Sequence, residues 1–312
     1  MRVTVLVVDD VFDTGLATIL DTFDTANALG GRKRFDVVVA SPRSRVRTHH
    51  GLSVPVQPLP ARTDLVVVPA LACKEPATIL AALTRPDVTQ MANAIAEYAR
   101  KSRIAGACTG TFVLGKSGVL GERRATTSWW LGPAFREAFP TVDLDENEMI
   151  VADDRVITAG AALAHVDLAL ALIRDQSPDL AATVAHYLLI DRRPSQGQFA
   201  VPSHVAHDDE IVKRFERWAR GNLSVAFDLT SAAHAVGASE RTLQRRIRAV
   251  LGRSPVGFMQ DLRLEQARHL IATTQDSVDA IASAVGYVDA SSLRTLLRRK
   301  QHTRIRDLRT RV

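Results

Sequence analysis

The stretch LTSAAHAVGASERTLQRRI at residues 229–247 decides the fold of the last third of the chain. Its pattern recurs further along the sequence, first at a spacing of 49 residues and then at a spacing of 50. At the first spacing, Leu229, Ala232, Ala233, Val236 and Gly237 correspond to Val278, Ile281, Ala282, Val285 and Gly286. At the second spacing, Leu243 and Ile247 correspond to Leu293 and Leu297. The chain therefore contains an internal repeat.

Each copy of the repeat predicts a short helix, a turn at glycine and a longer helix rich in arginine, which is the helix-turn-helix arrangement. One such copy arises by chance in many helical domains, so the prediction depends on the two copies in series. Between them, Ser254 followed by Pro255 predicts the start of a helix that continues to Leu270 and sets their spacing.

The charge of the chain is unevenly distributed. Apolar residues make up 46% and charged residues 24% of the sequence, as in an ordinary globular protein. The formal net charge is +6; residues 1–207 carry −1 and residues 208–312 carry +7. A local basic excess is typical of a surface that binds a polyanion such as nucleic acid, although solvated basic helices are also common.

The first two thirds of the sequence alternate short apolar runs with helical patterns. Strands are predicted at Val3–Val8, Asp36–Ala40, Leu65–Val68, Ile104–Ala107 and Arg155–Thr158. Helices are predicted at Leu16–Leu29, Ala77–Leu83, Val88–Lys101, Thr111–Gly118 and His165–Asp175. This alternation predicts an α/β domain with a parallel, flavodoxin-like sheet, whose ligand site lies at the carboxyl ends of the strands. An all-α domain with two helix-turn-helix units follows it.

Domain boundaries are predicted from a loss of periodicity. Residues 191–207 gain Pro, Gly and Ser and predict a linker between an α/β domain at 1–190 and a helical domain at 208–312.

The sequence has two cysteines, Cys73 and Cys108, as expected of a reducing compartment. The longest apolar run, at 157–173, is too short and too polar to predict a membrane span.

The last third resembles the AraC/XylS-type DNA-binding domain. The first recognition helix of that family resembles GASERTLQRR at 237–246. Its linker helix resembles SPVGFMQDLRLEQARHL at 254–270, and its second helix-turn-helix unit resembles Gly286-Tyr287 followed by residues 291–293. The family pattern of Phe, Arg, Phe, Gly, Pro and Tyr is replaced here by Leu293, Thr295, Leu297, His302, Ile305 and Leu308. These departures predict weak base recognition by the second unit.

The resemblance and the helical pattern predict which side chains contact DNA. They are Ser239, Arg241, Thr242, Gln244, Arg245 and Arg248 in the first unit and Ser291, Arg294, Thr295, Arg298 and Arg299 in the second.

Residues 1–190 resemble PfpI-like proteins of the class I glutamine-amidotransferase-like superfamily, in the version fused to AraC-type domains. The matching pieces are FDTG at 12–15, DTF and AN within 21–27, ACTG at 107–110, RATT at 124–127 and TAG at 158–160 leading to DLAL at 167–170.

Cys108 lies between a predicted strand and a predicted helix, as the nucleophile of an elbow does, where a helix N-terminus would lower its pKa and expose the sulfur. Catalytic relatives place a His directly after the Cys or after the ThrThr pair, whereas this chain has Thr109 and Ser128. His165 could substitute as a base. Otherwise Cys108 is a small buried residue or a non-catalytic pocket residue.

The predicted effector pocket comprises Asp10, Cys108, Thr109, Ser128, Trp129 and His165. For Asp9 and Asp10 the alternative is a helix cap. His49, His50, His204 and His207 lack the pattern of a metal site and are interpreted as surface residues.

The resemblance implies a bacterial, cytoplasmic, nucleoid-associated transcriptional regulator. It would be a homodimer without a cofactor that binds double-stranded DNA and a small effector. RNA polymerase is a possible further partner. Two alternatives stay open: a cysteine-dependent amidase, peptidase or hydratase with a DNA-binding tail, and a thiol-based redox sensor.

Overall fold

The computed structural model describes residues 1–312 apart from 192, 194, 198, 202–204, 206, 302–304, 306, 307 and 309–312, and apart from the side chains of 300 and 301. The chain forms two compact units. The first is built from Met1–Leu131 and Phe135–Gln196, and the second mainly from Gly197–Val312.

The first unit contains ten strands in the part of it that the structure describes. They are β1 (Arg2–Leu6), β2 (Asp36–Ala40), β3 (Val46–Arg47), β4 (Ser53–Val54), β5 (Leu65–Val68), β6 (Arg103–Ala107), β7 (Arg124–Ala125), β8 (Asp143–Leu144), β9 (Ile150–Asp153) and β10 (Val156–Ala159). Six form one sheet in the order β2-β1-β5-β6-β10-β9. The five predicted strands are its parallel members, and β9 adds to β10 in the antiparallel direction. The predicted α/β fold class is thus confirmed.

Among the described residues between 1 and 190, the chain forms seven α-helices. They are α1 (Asp13–Leu29), α2 (Pro76–Thr84), α3 (Pro86–Tyr98), α4 (Gly110–Lys116), α5 (Gly132–Ala138), α6 (Ala164–Arg174) and α7 (Pro178–Tyr187). Helices α1, α6 and α7 pack together and share one core with alternate residues of β1, β5, β6 and β10. Helices α2, α3 and α4 pack with one another, and α3 and α4 also contact the central strands. Burial on both faces explains why these strands are continuous apolar runs.

The described residues of the second unit form six α-helices. They are α8 (Glu210–Gly221), α9 (Leu229–Val236), α10 (Glu240–Leu251), α11 (Pro255–Thr273), α12 (Val278–Ala284) and α13 (Ala290–Gln301). Side chains of Asp209, Asp228, Ser239, Ser254 and Ser277 cap the first five of them, each accepting hydrogen bonds from backbone N–H groups of the first turn. The two predicted helix-turn-helix units are α9–α10 and α12–α13.

Helix α11 belongs to both helix-turn-helix units. Phe258 and Leu262 are buried in the core that α8, α9 and α10 form, whereas Leu264 and Ala267 are buried in the core of α12 and α13. One continuous helix therefore connects the two units, as the sequence predicts. No helix among the described residues is long and apolar enough to cross a membrane.

The start of the predicted linker differs from the sequence-based expectation. Ser195 and Gln196 are buried in the first unit, where Ser195 forms an antiparallel bridge with Glu148. The local composition predicts a loop, but this pairing joins residues almost 50 positions apart and leaves no periodicity in the sequence.

Candidate functional sites: the cysteine elbow and the arginine-rich helices

Cys108 lies in a tight turn between β6 and α4. Its φ is +55°, a left-handed conformation that is uncommon for a residue with a side chain. Its N–H donates to Ala159 O at 2.9 Å. Gly110 completes the turn, because a Cβ there would lie only 2.4 Å from Val68 O. The elbow geometry that the sequence predicts is therefore present.

The sulfur of Cys108, however, is enclosed. Cys108 is 4% exposed, and its Sγ lies 2.8 Å from the buried Ser128 Oγ. Thr127 Oγ1 donates to Cys108 O at 2.7 Å, and Thr109 Oγ1 donates to Leu71 O at 2.5 Å. Desolvation raises the pKa of the thiol above its usual value, although the Ser128 hydrogen bond opposes this. The expectation of an exposed sulfur with a lowered pKa is therefore wrong, because burial outweighs the hydrogen bonds with Ser128 and Thr109 that lower the thiol pKa.

His165 is a structural residue of the first unit. It is completely buried, and its Nδ1–H donates to Ala162 O at 2.5 Å while its Nε2 accepts from the N–H of Ala70 at 3.0 Å. Burial lowers its pKa to about 4, so the ring is neutral at pH 7. Both ring nitrogens of His165 are therefore hydrogen-bonded to backbone groups, and the ring is closed off from solvent.

The FDTG sequence at 12–15 has a packing role beside this histidine. The Phe12 ring centroid lies 6.0 Å from that of His165, and a Cβ on Gly15 would lie 2.6 Å from His165 Nε2. The missing side chain of Gly15 thus makes room for the imidazole.

Asp10 and Asp9 lie in the loop after β1, and neither caps α1, which has no side-chain cap. Asp10 is exposed and pairs with Arg85, whose Nη1 lies 2.7 Å from Asp10 Oδ2. Arg85 also donates to Asp9 O and to both oxygens of Asp87. Arg85 was not predicted, since an arginine at the start of a helix pattern carries no local signal of such a network.

Of the predicted pocket residues, the structure brings Cys108, Thr109 and Ser128 together in one buried cluster. Trp129 follows Ser128 and is half-buried, with its ring edge-on to that of Trp130 at 5.5 Å. Asp10 and His165 take the separate roles described above.

The arginine-rich helices present most of their predicted DNA contacts to solvent. Leu243 and Ile247 of α10 are buried, and the predicted contact residues are exposed except for the half-buried Thr242: Ser239, Arg241, Gln244, Arg245 and Arg248. Ser239 caps α10, and its Oγ lies 2.9 Å from Thr242 Oγ1. In α13, Ser291, Arg294, Thr295, Arg298 and Arg299 are exposed. His302 lies outside the described residues.

Arg263 of α11 connects the loop between α8 and α9 to the second helix-turn-helix unit. It is 8% exposed, and it donates from Nε to Leu223 O at 2.9 Å and from Nη2 to Val225 O at 2.5 Å. Its guanidinium lies 5.6 Å from the centre of the Tyr287 ring. Sequence reasoning missed this role, although a charge inside the apolar pattern of α11 was a weak signal.

The predicted surface histidines behave differently from one another. His49 and His50 are exposed, and His50 Nδ1 lies 2.9 Å from Asp13 Oδ2. The side chain of His207 is only 5% exposed and its Nε2 lies 3.2 Å from Glu216 Oε1, so its interpretation as a surface residue is wrong. His204 lies outside the described residues. Within the described part of the chain, no group of three His, Cys, Asp or Glu residues could hold a metal ion.

An α/β unit with a cysteine elbow and a unit with two helix-turn-helix motifs define a two-domain protein of the DNA-binding class. The DJ-1/PfpI family matches residues 1–175, and a helix-turn-helix domain family matches residues 232–311. The chain belongs to the DJ-1/PfpI family and carries an AraC-type helix-turn-helix domain, which confirms the resemblance drawn from the sequence.

Curated relatives share both parts. The HTH-type transcriptional regulator GbdR of Pseudomonas aeruginosa is 29% identical over 295 residues, which is 91% of this chain and 77% of that protein. The HTH-type transcriptional regulator GlxA of Rhizobium meliloti is 27% identical over 301 residues, covering 92% and 88%. A crystal structure of an AraC family transcriptional regulator from Pseudomonas putida matches with a TM-score of 0.51 at 22% identity, covering 60% of this chain and 98% of that one. The last match shows the fold alone.

Proposed function

We propose that this chain is a sequence-specific DNA-binding transcriptional regulator whose first domain binds a small effector without catalysis. The observation that carries the DNA-binding part is the tandem arrangement: two helix-turn-helix units on one linker helix, each with exposed arginines on its second helix. The relatives that share both domains are themselves named as HTH-type transcriptional regulators.

The two helix-turn-helix units differ in the side chains that their second helices expose to DNA. Helix α10 exposes Arg241, Gln244 and Arg245, side chains that pair well with guanine and adenine edges. Helix α13 exposes Arg294, Arg298 and Arg299, with Thr295 among them. We therefore assign base recognition mainly to the first unit and phosphate binding mainly to the second.

Arg245→Ala is expected to weaken binding to the specific site by about 1–3 kcal/mol and to relax one base preference, because a bidentate contact to a base edge is lost. The operator would first be selected from a random DNA library with the wild-type protein. Affinities for it and for single-base variants would then be measured by fluorescence anisotropy.

Arg214→Ala is a control for Arg245→Ala, because Arg214 is a basic residue of α8 outside the predicted contact set. Unchanged operator affinity of the Arg245 variant would remove this residue from the recognition surface.

Replacing Arg298 and Arg299 together by Ala should weaken binding to all DNA sequences by the same factor. Two phosphate contacts would be lost, so the slope of log K against log salt should fall in magnitude by about 1–2. Titrations at several salt concentrations with operator and with unrelated DNA would check this. A changed base preference would contradict the assignment.

The absence of catalysis in the first domain is supported by the elbow. A nucleophilic cysteine requires a base that takes its proton and a thiolate accessible to substrate. Here Cys108 is buried, its Sγ hydrogen-bonds with the hydroxyl of Ser128, and burial raises the pKa of its thiol. His165 is occupied by backbone groups.

Cys108→Ala should therefore leave the fold and basal DNA binding intact. About 1–3 kcal/mol of stability should be lost, because the buried Ser128 hydroxyl loses its partner. The wild-type protein should not turn over a panel of amides, esters and nitriles. Iodoacetamide should label native Cys108 about ten times or more slowly than the unfolded chain, with a rate still rising above pH 8.

A Cys73→Ser background makes the labelling specific, because Cys73 is the other thiol of the chain. Turnover that depends on Cys108 would support the enzyme alternative. Selective oxidation of Cys108 by mild peroxide, seen in the intact mass, would support the redox-sensor alternative.

The remaining partners are part of the same proposal. A homodimer would place two DNA-binding domains on one operator, and an effector would act by binding two states of the protein with different affinities. Contact with RNA polymerase would follow if the chain activates transcription.

A further inference from the structure

The side chain of Gln196 lies in a buried polar site behind the Cys108 elbow. The backbone leads it there: Gln196 N–H donates to Asn147 O at 2.9 Å, and Ser195 Oγ donates to the same oxygen at 2.5 Å. Gln196 is completely buried. The absence of a side chain at Gly160 makes the site, since a Cβ there would lie 2.4 Å from Gln196 Cδ.

Three oxygens surround the amide nitrogen of Gln196. Its Nε2 donates to Thr127 O at 2.8 Å, to Thr126 Oγ1 at 3.0 Å and to Glu148 O at 3.3 Å. Two of these are carbonyl oxygens, which only accept hydrogen bonds, so the nitrogen rather than the oxygen of the amide must face them. The site is thus built to bind an N–H donor. Thr127 also links it to the elbow, because its hydroxyl donates to Cys108 O.

The amide oxygen of Gln196 fits this site less well. Among the described residues, Gln196 Oε1 is buried without a hydrogen-bond partner. A buried acceptor without a donor loses the hydrogen bonds that water would give it. Gln196 is therefore an occupant that a better-matched group could replace.

We propose that Thr126 Oγ1, Thr127 O and Glu148 O form a binding subsite for an N–H donor group of the effector, a carboxamide or a primary ammonium, and that Gln196 occupies it when no effector is bound. This rests on the proposed effector-binding function of the first domain. Gln196 is directly followed by the segment that leads to the helix-turn-helix domain. Its displacement by a ligand would release Gln196 from the first unit, next to the connection to the helix-turn-helix domain, and this would connect ligand binding to DNA binding.

Chemical complementation tests the subsite. Gln196→Ala in the full-length protein removes the occupant and leaves the three oxygens. Propionamide, the free analogue of the missing side chain, and propylammonium carry N–H donors, whereas propionate carries only acceptors. We expect a dissociation constant of about 10 mM for a ligand of this size. At ten times that concentration, the matching probe should raise the Tm of the variant's first domain by about 3 °C.

Propionate should not stabilise the variant, and comparison of the other two probes shows whether the donor is an amide or an ammonium. Gln176→Ala removes an exposed glutamine of the same domain and is the matched control, which no probe should stabilise. Equal stabilisation of both variants, or stabilisation by propionate, would overturn the proposal.

A measurement on the wild-type protein keeps the test independent of how well Gln196→Ala folds. At about 100 mM, ten times that dissociation constant, the matching probe should compete with the Gln196 side chain and increase deuterium uptake in peptides containing residues 195–197. Unchanged uptake, together with no stabilisation of the variant, would rule the subsite out. That outcome would leave the Arg245 and salt-slope results untouched, so it is distinguishable from failure of the DNA-binding function.

Discussion

Gly286→Ala is expected to destabilise the second helix-turn-helix unit by about 4 kcal/mol. The φ of Gly286 is +80°, which costs a residue with a side chain about 1–2 kcal/mol. A Cβ there would also lie 2.3 Å from Leu223 O and 2.8 Å from Arg263 Nη2, and overpacking of this kind adds about 1–3 kcal/mol. The substitution would displace the Arg263 guanidinium, which connects the loop between α8 and α9 to the second helix-turn-helix unit. Hydrogen exchange of α12 and α13 peptides should report the loss of protection.

The internal repeat supplies the control for this prediction. Gly237 occupies the equivalent turn of the first helix-turn-helix unit with φ +68°, but a Cβ there would lie 3.7 Å from its nearest neighbour, Arg214 Nη1. Gly237→Ala should therefore cost only about 1–2 kcal/mol. Gly221→Ala, where no atom lies within 4 Å, should be neutral or slightly stabilising. Equal effects at Gly286 and Gly237 would show that the contact with Leu223 O is unimportant.

The first domain is expected to lose about 3 kcal/mol of stability between pH 6.5 and pH 4 through His165 alone. The pKa of His165 is lowered to about 4 by burial, whereas the unfolded chain titrates near 6.5. In this window the unfolded state binds the proton and the folded state does not, so stability falls as the pH falls. Unfolding by urea, followed by hydrogen exchange of first-domain peptides, would measure the pH dependence.

His165→Gln removes this titration and should flatten the slope between pH 6.5 and 4, while lowering stability at pH 7. The comparison with wild type also separates His165 from Asp167, whose pKa burial raises and whose contribution therefore has the opposite sign. If the variant retained the full slope, the acid sensitivity would belong to other groups.

Much of the fold could be predicted because its signals are local. Val3–Val8 and Leu65–Val68 are continuous apolar runs, since their strands are buried on both faces. The helix-turn-helix units were visible through small residues, a turn glycine and serine caps. Strand β9 was missed because Ile150–Asp153 is short and partly polar at the edge of the sheet. Helix α7 also lay outside the predicted elements.

The candidate site was less predictable because its properties depend on distant segments. The elbow at Cys108 can be predicted from the residues next to it in the sequence. The burial of its sulfur depends on Ser128, which lies in another loop. Gln196 lies in a Pro- and Gly-rich stretch that predicts a linker, whereas hydrogen bonds with residues such as Asn147 and Thr127, far away in the sequence, bring it into the domain.

Helix α11 gives the DNA-binding domain a fixed phase as well as a fixed length. Its 19 residues span about 28 Å at 1.5 Å per residue, less than one turn of duplex DNA. Each residue added between Leu262 and Leu264 would rotate one unit about 100° around the helix axis relative to the other. Only insertions near whole multiples of a turn, such as seven residues, would keep both recognition helices facing the same side. The spacing between the two DNA segments is therefore encoded in the residue count of one helix, and it can change only in discrete steps.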